Sequence, residues 1–218
     1  MDILFDLDGT LVDPRPGLIG SIQYALGKLG HAVPPAEELL WMIGPPFRVS
    51  FPKLLGSHDR VEEAIAHYRE SYVNGGMYNA VVYDGMPETL AALRTAGHRL
   101  IVATAKPHYY ARPIVQHFGL AGHFHAVHGP ELDGSNDHKA DLIAHILRHE
   151  GVDPAAALMI GDTAFDVAAA ARNGMRSVGV TWGYGAVAEL TGAAAVCRSP
   201  GELVRAVLDL ATRKAELA

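Results

Sequence analysis

The spacing of apolar residues changes repeatedly along the chain, and each change marks a different secondary-structure element. Short apolar runs predict buried strands at 3–5, 100–103, 158–160 and 177–181, with a weaker strand at 124–127. Apolar residues at helical spacing predict helices at 86–96, 111–118, 137–149, 164–172 and 200–210. This alternation of strands and helices predicts an α/β fold with a parallel sheet that is covered on both faces.

The stretch 16–80 departs from the alternation because it contains helical spacing and no convincing strand. Helices are predicted at 18–29, 36–43, 47–55 and 61–73. The sequence therefore predicts a core domain of 1–15 and 81–218, with an all-helical domain of 16–80 inserted after the first strand. Both ends of the insertion flank the carboxyl end of that strand, so we expect it to cover the sheet edge where ligands bind.

Composition and charge narrow the classes of partner. The 218 residues are 49% hydrophobic and 19% charged, which suits one elaborated domain or two small ones. The net charge of -6 and the lack of a basic block argue against nucleic acid and anionic membranes as partners. Cys197 is the single cysteine, and no long apolar stretch or signal peptide is evident. We expect a cytoplasmic protein, either a monomer or a homodimer.

Asp6 and Asp8 lie where the first apolar strand stops. Two carboxylates at the end of a buried strand are costly unless a cation binds there, and Mg²⁺ prefers oxygen ligands. The alternative is that both are solvated carboxylates of a turn, since Asp8-Gly9 is typical turn chemistry. The residues alone do not decide between these interpretations.

Polar residues also mark the ends of later strands. Thr104 follows the strand at 100–103, and Asp162 follows the strand at 158–160. Asp166 lies one helical turn further on, where it would form a capping box with Thr163.

Lys139 lies in the first turn of a predicted helix, where a cation opposes the helix dipole at a cost of about 0.3–1 kcal/mol. A residue placed against this preference often has another role, although an ion pair with Asp141 is the alternative.

Four motifs occur in order at these positions: Asp6-Leu7-Asp8-Gly9-Thr10, Thr104, Lys139 and the GDxxxD motif of 161–166. Together they resemble the haloacid dehalogenase superfamily, most of whose members are Mg²⁺-dependent phosphatases. The resemblance implies a Rossmann-like core in which the helical insertion is a cap domain. It also implies that small phosphate monoesters are hydrolysed through an aspartyl phosphate.

The resemblance further implies a role for each motif residue. Asp6 would be the nucleophile and Asp8 the general acid and base. Thr104 would donate to a phosphate oxygen, and Lys139 would neutralise negative charge. Mg²⁺ would be bound by Asp6, Asp8 and Asp162, and Asp166 would hold Lys139 or a water on the metal. We add Lys106 and Arg48 as candidate contacts to the substrate. Ala105 departs from relatives that often carry Ser or Asn, which removes one possible phosphate donor.

The segments 43–47 and 181–185 resemble a subgroup of phosphoglycolate phosphatase-like and 5′-nucleotidase-like proteins. Phosphoglycolate, a nucleoside monophosphate and a sugar phosphate all stay open as substrates. A sugar phosphomutase shares the four motifs. A haloacid dehalogenase needs no metal, so Asp8 and Asp162 argue against that activity. A non-catalytic phosphate-binding module would be expected to lack a motif residue, and none is lacking here.

Twelve histidines are many for this length. Four of them, His123, His125, His128 and His138, lie close together in the sequence, but their spacing matches no defined metal-ligand pattern. Surface and strand positions therefore explain them better than a transition-metal site.

Overall fold

The computed structural model describes residues 1–133 and 135–215. Within these ranges the strands are β1 (Asp2–Phe5), β2 (Val12–Asp13), β3 (Val81–Val82), β4 (Arg99–Ala103), β5 (Ala126–His128), β6 (Ala157–Gly161), β7 (Arg176–Val180) and β8 (Ala195–Cys197). Six of them form one sheet in the order β5-β4-β1-β6-β7-β8, and every neighbouring pair is parallel. The predicted α/β fold with a parallel sheet is confirmed.

The α-helices are α1 (Arg15–Lys28), α2 (Phe47–Leu55), α3 (Val61–Val73), α4 (Met86–Thr95), α5 (His108–His117), α6 (Lys139–Glu150), α7 (Ala164–Arg172) and α8 (Pro200–Ala215). The segment Ala36–Met42 is a 3-10 helix. Strands and helices alternate after β3, whereas the chain between β2 and β3 is helical.

Strand β1 lies at the centre of the sheet and is buried on both faces. Ile3 and Phe5 pack into a large apolar cluster on one face, and Leu4 packs into a second cluster on the other. Successive side chains of a strand point to opposite faces, so β1 contributes residues to both clusters. Apolar packing on both faces is typical of a parallel sheet. The second cluster includes Leu142 and Ile143 of α6, so this helix is packed firmly against the sheet.

The helical segment leaves and rejoins the core through two short strands that pair with each other. Strands β2 and β3 are antiparallel, with Val12 opposite Val82 and Asp13 opposite Val81. The Tyr83 amide also donates to the Leu11 carbonyl at 3.2 Å. This clamp brings the two ends of the segment together beside β1, while the division into domains at 15/16 and 80/81 stays a prediction.

The structure corrects several element bounds. The helix predicted at 111–118 begins earlier, at His108, directly after Pro107 and despite Pro113 in its interior. The strand predicted at 124–127 lies at Ala126–His128. Strands β2, β3 and β8 were not predicted, because each has only two or three residues and therefore too little pattern to detect.

Candidate active site

Three of the predicted site residues follow three neighbouring strands. Thr104 comes directly after β4, Asp6 after β1 and Asp162 after β6. The Asp6 amide donates to the Ile160 carbonyl at 2.9 Å, which continues the parallel pairing of β1 and β6. Because parallel strands end at the same edge, the fold brings these polar side chains together there.

A group of three buried carboxylates forms the centre of this edge. Each of Asp6, Asp162 and Asp166 offers one oxygen, and these oxygens all lie within 4.8 Å of one another. Asp166 is completely buried, and Asp162 and Asp6 are 1% and 6% exposed. Buried carboxylates in such proximity repel one another unless cations compensate their charge.

Lys139 supplies one compensating charge. It is the first residue of α6 and is buried, with its Nζ atom 2.9 Å from Asp6 Oδ1 and in contact with Asp166 Oδ1. An exposed ion pair with Asp141 therefore does not describe this lysine. One ammonium among three carboxylates leaves two formal negative charges, which one divalent cation would balance.

The pKa directions show the same shortage of positive charge. Burial raises the pKa of Asp6 to about 7; Lys139 opposes this shift, and the nearby Asp166 and Asp162 carboxylates add to it. Burial, followed by the Asp166 carboxylate, raises the pKa of Asp162 to about 6. Burial lowers the pKa of Lys139, but Asp166 and Asp6 outweigh it and hold the pKa above its usual value. The donor set thus fits a hard divalent cation such as Mg²⁺.

The loop that follows β7 positions Asp162. The Tyr184 amide donates to Asp162 Oδ2 at 2.8 Å, and Thr10 Oγ1 donates to Asp162 Oδ1 at 3.2 Å. A Cβ atom on Gly183 would lie 2.2 Å from Asp162 Oδ2, and one on Gly9 would lie 2.3 Å from it. Glycine at both positions permits this close approach. The sequence analysis singled out 181–185 and the Asp8-Gly9-Thr10 motif but missed the contacts they make with Asp162.

Asp166 both caps the start of α7 and contacts Lys139. Its Oδ2 atom accepts hydrogen bonds from the Thr163 amide at 3.1 Å and from Thr163 Oγ1 at 2.8 Å, at the start of α7. Its Oδ1 atom contacts Lys139. The helix start thus fixes the carboxylate that holds the lysine.

Asp8 lies apart from the three-carboxylate group that contains Asp6. Its Oδ2 atom is 2.8 Å from Lys106 Nζ, and its Oδ1 atom is buried without a hydrogen-bond partner. The expected metal set was Asp6, Asp8 and Asp162, whereas the structure groups Asp166, and not the Asp8 side chain, with the other two. The reason lies in the strand order, since β1 stands between β4, which leads to Lys106, and β6, which leads to Asp162.

Lys106 joins the sheet edge to the helical segment. Besides its ion pair with Asp8, its ammonium contacts the Tyr72 hydroxyl of α3 and lies 4.8 Å from the Tyr72 ring centroid. Burial lowers the pKa of Lys106, but Asp8 and Tyr72 outweigh this effect and raise it overall. Thr104 Oγ1 accepts a hydrogen bond from the Lys106 amide at 3.1 Å, so the loop after β4 is held from both sides.

A cavity separates the sheet edge from the helical segment. Asp6, Asp8, Thr104, Ala105 and Lys106 line its floor. The wall formed by the helical segment is largely apolar and aromatic, with Leu18, Met42, Phe47, Ile65, Tyr68 and Tyr72, and Tyr110 of α5 lies beside it. Tyr68 and Tyr72 belong to the helix predicted at 61–73, but they were not predicted to be site residues.

Aromatic rings in this wall pack directly against one another. The ring centroids of Phe47 and Tyr68 are 4.3 Å apart, those of Tyr68 and Tyr72 are 5.1 Å apart, and those of Tyr72 and Tyr110 are 5.7 Å apart. Arg48 lies at the cavity wall, where it pairs with Glu62 at 2.9 Å and with Asp137 at 3.4 Å. Its guanidinium therefore already has acidic partners.

The fold and this centre define an α/β enzyme whose acidic, lysine-containing site lies under a helical insertion. The family model for haloacid dehalogenase-like hydrolases matches residues 3–180. The chain belongs to this family, which confirms the resemblance drawn from its four motifs.

Individual relatives and solved structures are similar to this chain over most of its length. A 5′-nucleotidase from Pseudomonas aeruginosa is 47% identical over 190 residues, which cover 87% of this chain and 86% of that protein. A phosphoglycolate phosphatase from Aquifex aeolicus is 30% identical over 182 residues, or 84% and 85% of the two chains. The crystal structure of a predicted phosphatase from Clostridium acetobutylicum has a TM-score of 0.92 and 36% identity, and the match covers 95% and 98% of the two chains.

The tyrosine-protein kinase PtkA of Mycobacterium tuberculosis is 40% identical over 183 residues, which cover 84% of this chain and 62% of that protein. Most of the named relatives are phosphatases, hydrolases of phosphate monoesters, and the prediction that this chain is an enzyme of that kind is confirmed. In the part of the chain that the structure describes, no helix is both long and apolar enough to cross a bilayer.

Proposed function

We propose that the protein is a Mg²⁺-dependent phosphatase that hydrolyses small phosphate monoesters through an aspartyl phosphate on Asp6. One observation carries this proposal: the Asp6 carboxylate lies 2.9 Å from a buried lysine and lines a cavity that Asp8 and Thr104 also line. A carboxylate so placed can attack a phosphoryl group that enters the cavity.

The first half of the reaction transfers the phosphoryl group to the protein. Asp6 attacks phosphorus, the bond from phosphorus to the leaving oxygen breaks, and Asp8 gives that oxygen its proton. The buried Asp8 Oδ1 atom is free for this proton because Lys106 pairs with Oδ2. In the second half, Asp8 takes a proton from water as the water attacks phosphorus, and the bond to Asp6 breaks to release phosphate.

Positive charge and positioning supply much of the rate enhancement in phosphoryl transfer. Lys139 holds Asp6 in place and offsets its charge. Thr104 Oγ1 lines the cavity floor, where it would donate to a phosphoryl oxygen. Asp6, Asp162 and Asp166 would hold Mg²⁺, which would neutralise the carboxylates and the charge on the phosphoryl oxygens. The helical segment would limit access of water while the phosphoryl group is transferred.

Two substrate classes follow from the comparisons and the cavity. The first is phosphoglycolate, on which the Aquifex aeolicus relative acts by its name. The second is a nucleoside monophosphate, and a specific observation favours it: the aromatic wall of Phe47, Tyr68 and Tyr72 suits a flat organic group better than a small carboxylate. Arg48 is the candidate contact for a second anionic group, once it is released from its acidic partners.

Phosphate release from p-nitrophenyl phosphate in MgCl₂ tests the activity. We expect Asp6→Asn to lose at least about 10³-fold in kcat because the nucleophile is gone. Asp141→Asn, an exposed carboxylate of α6, is the matched control and keeps full activity. Equal activity of Asp6→Asn and the wild type would overturn the proposal.

A panel of phosphoglycolate, nucleoside monophosphates and sugar phosphates then ranks the substrates by kcat/KM. Glucose 1-phosphate to glucose 6-phosphate conversion and halide release from 2-chloropropionate test for mutase and dehalogenase activity, which we expect to be absent. We expect Arg48→Ala to raise KM for an anionic substrate, and an unchanged KM would exclude Arg48 from the site.

A further inference from the structure

The loop of residues 181–185, which follows β7, fits closely against Asp162. A Cβ atom on Gly183 would lie 2.2 Å from Asp162 Oδ2, and one on Gly185 would lie 2.0 Å from the Asp162 carbonyl oxygen. Both positions therefore need glycine for space. Between them, the Tyr184 amide donates to Asp162 Oδ2 at 2.8 Å. The backbone of this loop thus holds a carboxylate of the proposed cation site.

The side chain of Tyr184 contacts the strands that lead into and out of the helical segment. Its hydroxyl donates to Asp13 Oδ1, and Asp13 belongs to β2, which pairs with β3. We call these two strands, Val12–Asp13 and Val81–Val82, the β2–β3 ribbon. The chain passes through the ribbon on entering and on leaving the helical segment. One residue, Tyr184, therefore contacts both Asp162 and the connection to that segment.

The start of the helical segment is joined to the same contact. Asp13 Oδ2 lies 3.0 Å from the guanidinium of Arg15, and the Arg15 amide donates to Asp13 Oδ1 at 2.9 Å. Arg15 is the first residue of α1. Burial, followed by the hydrogen bond to Asp13, raises the pKa of Tyr184, so its hydroxyl stays protonated and acts as a donor at neutral pH.

A second set of contacts joins the same two regions. Thr10, whose hydroxyl donates to Asp162, accepts a hydrogen bond on its carbonyl from Trp182 Nε1 at 3.1 Å. The Trp182 ring packs edge-on against Tyr83, with centroids 6.4 Å apart, and Tyr83 directly follows β3. Burial raises the pKa of Tyr83, and the Asp13 and Asp162 carboxylates add to the rise, so this phenol lies near both groups.

We propose that Tyr184 is a positioning residue that couples Asp162 to the β2–β3 ribbon. The inference rests on the proposed cation site of Asp6, Asp162 and Asp166. Cation binding fixes Asp162 and, through the amide and the hydroxyl of Tyr184, restrains the ribbon as well. Because coupling between two sites is reciprocal, displacement of the ribbon weakens cation binding.

Hydrogen exchange of the whole protein, with and without MgCl₂, tests the coupling. In the wild type, we expect MgCl₂ to slow exchange of the ribbon amides by about fivefold, the lower end of typical coupling between sites. Tyr184→Phe keeps the ring and the amide but loses the hydroxyl, and MgCl₂ should no longer slow this exchange. Tyr109→Phe, at a 60% exposed position, is the matched control and keeps the full effect.

The ratio of exchange rates with and without MgCl₂ separates coupling from a merely structural role. General loosening of the ribbon would speed exchange equally in both conditions and leave that ratio unchanged. Peptides that contain β4 and β6 should stay protected in Tyr184→Phe, which shows that the variant folds.

Calorimetric titration with MgCl₂ measures the reciprocal effect. Tyr184→Phe should bind Mg²⁺ about fivefold more weakly than the wild type. Asp13→Asn keeps an oxygen that accepts from the Tyr184 hydroxyl and should bind nearly as the wild type does, whereas Asp13→Ala should be as weak as Tyr184→Phe.

The outcomes distinguish this coupling from the proposed function. A wild-type protein that binds no Mg²⁺ would overturn both. If the wild type binds Mg²⁺, then either an unchanged affinity or an unchanged effect of MgCl₂ on ribbon exchange in Tyr184→Phe overturns the coupling alone.

Discussion

Lys139 and Lys106 are both buried ammonium groups paired with carboxylates at the end of β1, but different parts of the fold hold them. Lys139 contacts Asp6, which follows β1 of the central sheet, and Asp166, which lies in the first turn of α7. Lys106 lies between Asp8 of the sheet edge and Tyr72 of α3 in the helical segment. The proposed nucleophile is therefore held within the core, by the sheet and the starts of α6 and α7, whereas the proposed acid and base is tied to the helical segment through one lysine.

The two lysines also differ in how fully they compensate the negative charge of the neighbouring carboxylates. Lys139 faces a group of three carboxylates, and Lys106 faces one carboxylate and one neutral phenol. Only the first group keeps an excess of negative charge, so a divalent cation is expected beside Lys139 and not beside Lys106. Five predictions test this comparison, in order of decreasing effect.

The largest effect is expected from Lys139→Met in metal-free protein. Removal of one partner from a buried ion pair leaves uncompensated charge and costs about 3–5 kcal/mol of unfolding free energy. Urea denaturation in EDTA measures this loss. Lys53→Met, at an exposed position of α2, is the control and should change the stability little. Equal stabilities of the two variants would show that Lys139 does not compensate the buried carboxylates.

Lys106→Met should cost less, about 1–3 kcal/mol, because it leaves one charged group unpaired at the edge of a cavity. The same urea denaturation measures it. MgCl₂ should restore little of this loss, because the excess negative charge lies elsewhere. A loss as large as that of Lys139→Met would remove the distinction between the two lysines.

The affinity for Mg²⁺ should increase with pH. The pKa of Asp6 is raised from 3.8 to about 7 and that of Asp162 to about 6, so protons compete with the metal at pH 6. Mg²⁺ should bind about tenfold more tightly at pH 8 than at pH 6. Isothermal titration at the two pH values measures this change, and a pH-independent affinity would contradict the assignment.

The same shifts set the sign of the stability change without metal. The pKa values of Asp6 and Asp162 are higher in the folded than in the unfolded protein, so the folded state holds protons that the unfolded state releases. The contribution of these two groups to the free energy of unfolding is therefore fully present below about pH 4. It is lost as the pH rises to about 7. The rise in melting temperature with MgCl₂ should therefore be larger at pH 8 than at pH 6, and Asp162→Asn should remove most of that difference.

The smallest effect is expected from Tyr72→Phe, which removes the hydroxyl that contacts Lys106 but keeps the stacked ring. Loss of this hydrogen bond should cost about 1.5 kcal/mol, the lower end of the range for a bond to a charged group, because Lys106 keeps its ion pair with Asp8. Because Asp8 stays paired with Lys106, we expect a reduction in kcat of less than about tenfold. Tyr109→Phe, at a 60% exposed position, is the control. No change in kcat for Tyr72→Phe would show that the contact does not influence the reaction.

The surroundings of Lys139 could be predicted from the sequence better than those of Lys106. Asp6, Thr104 and Asp162 could be placed because each follows a buried apolar run, and parallel strands end at a common edge. Lys139 stood out because it opposes the dipole of its own helix. These signals are local, and the parallel sheet converts them into spatial proximity.

The contacts of Lys106 could not be predicted because they depend on how the helical segment packs. Lys106 and Tyr72 are 34 residues apart and meet only across the cavity. The grouping of Asp166 with Asp6 depends likewise on α7 directing a side chain back toward the sheet edge. The helix predicted at 111–118 begins three residues earlier, at His108, directly after Pro107.

The central claim is that Asp6 accepts the phosphoryl group, and the most direct measurement is to trap that intermediate. The protein is mixed with p-nitrophenyl phosphate and MgCl₂, quenched in acid within one turnover, and digested for mass spectrometry. We expect a phosphate group on the peptide that contains Asp6, and its absence in Asp6→Asn. A phosphorylated peptide from another part of the chain, or undiminished turnover by Asp6→Asn, would contradict it.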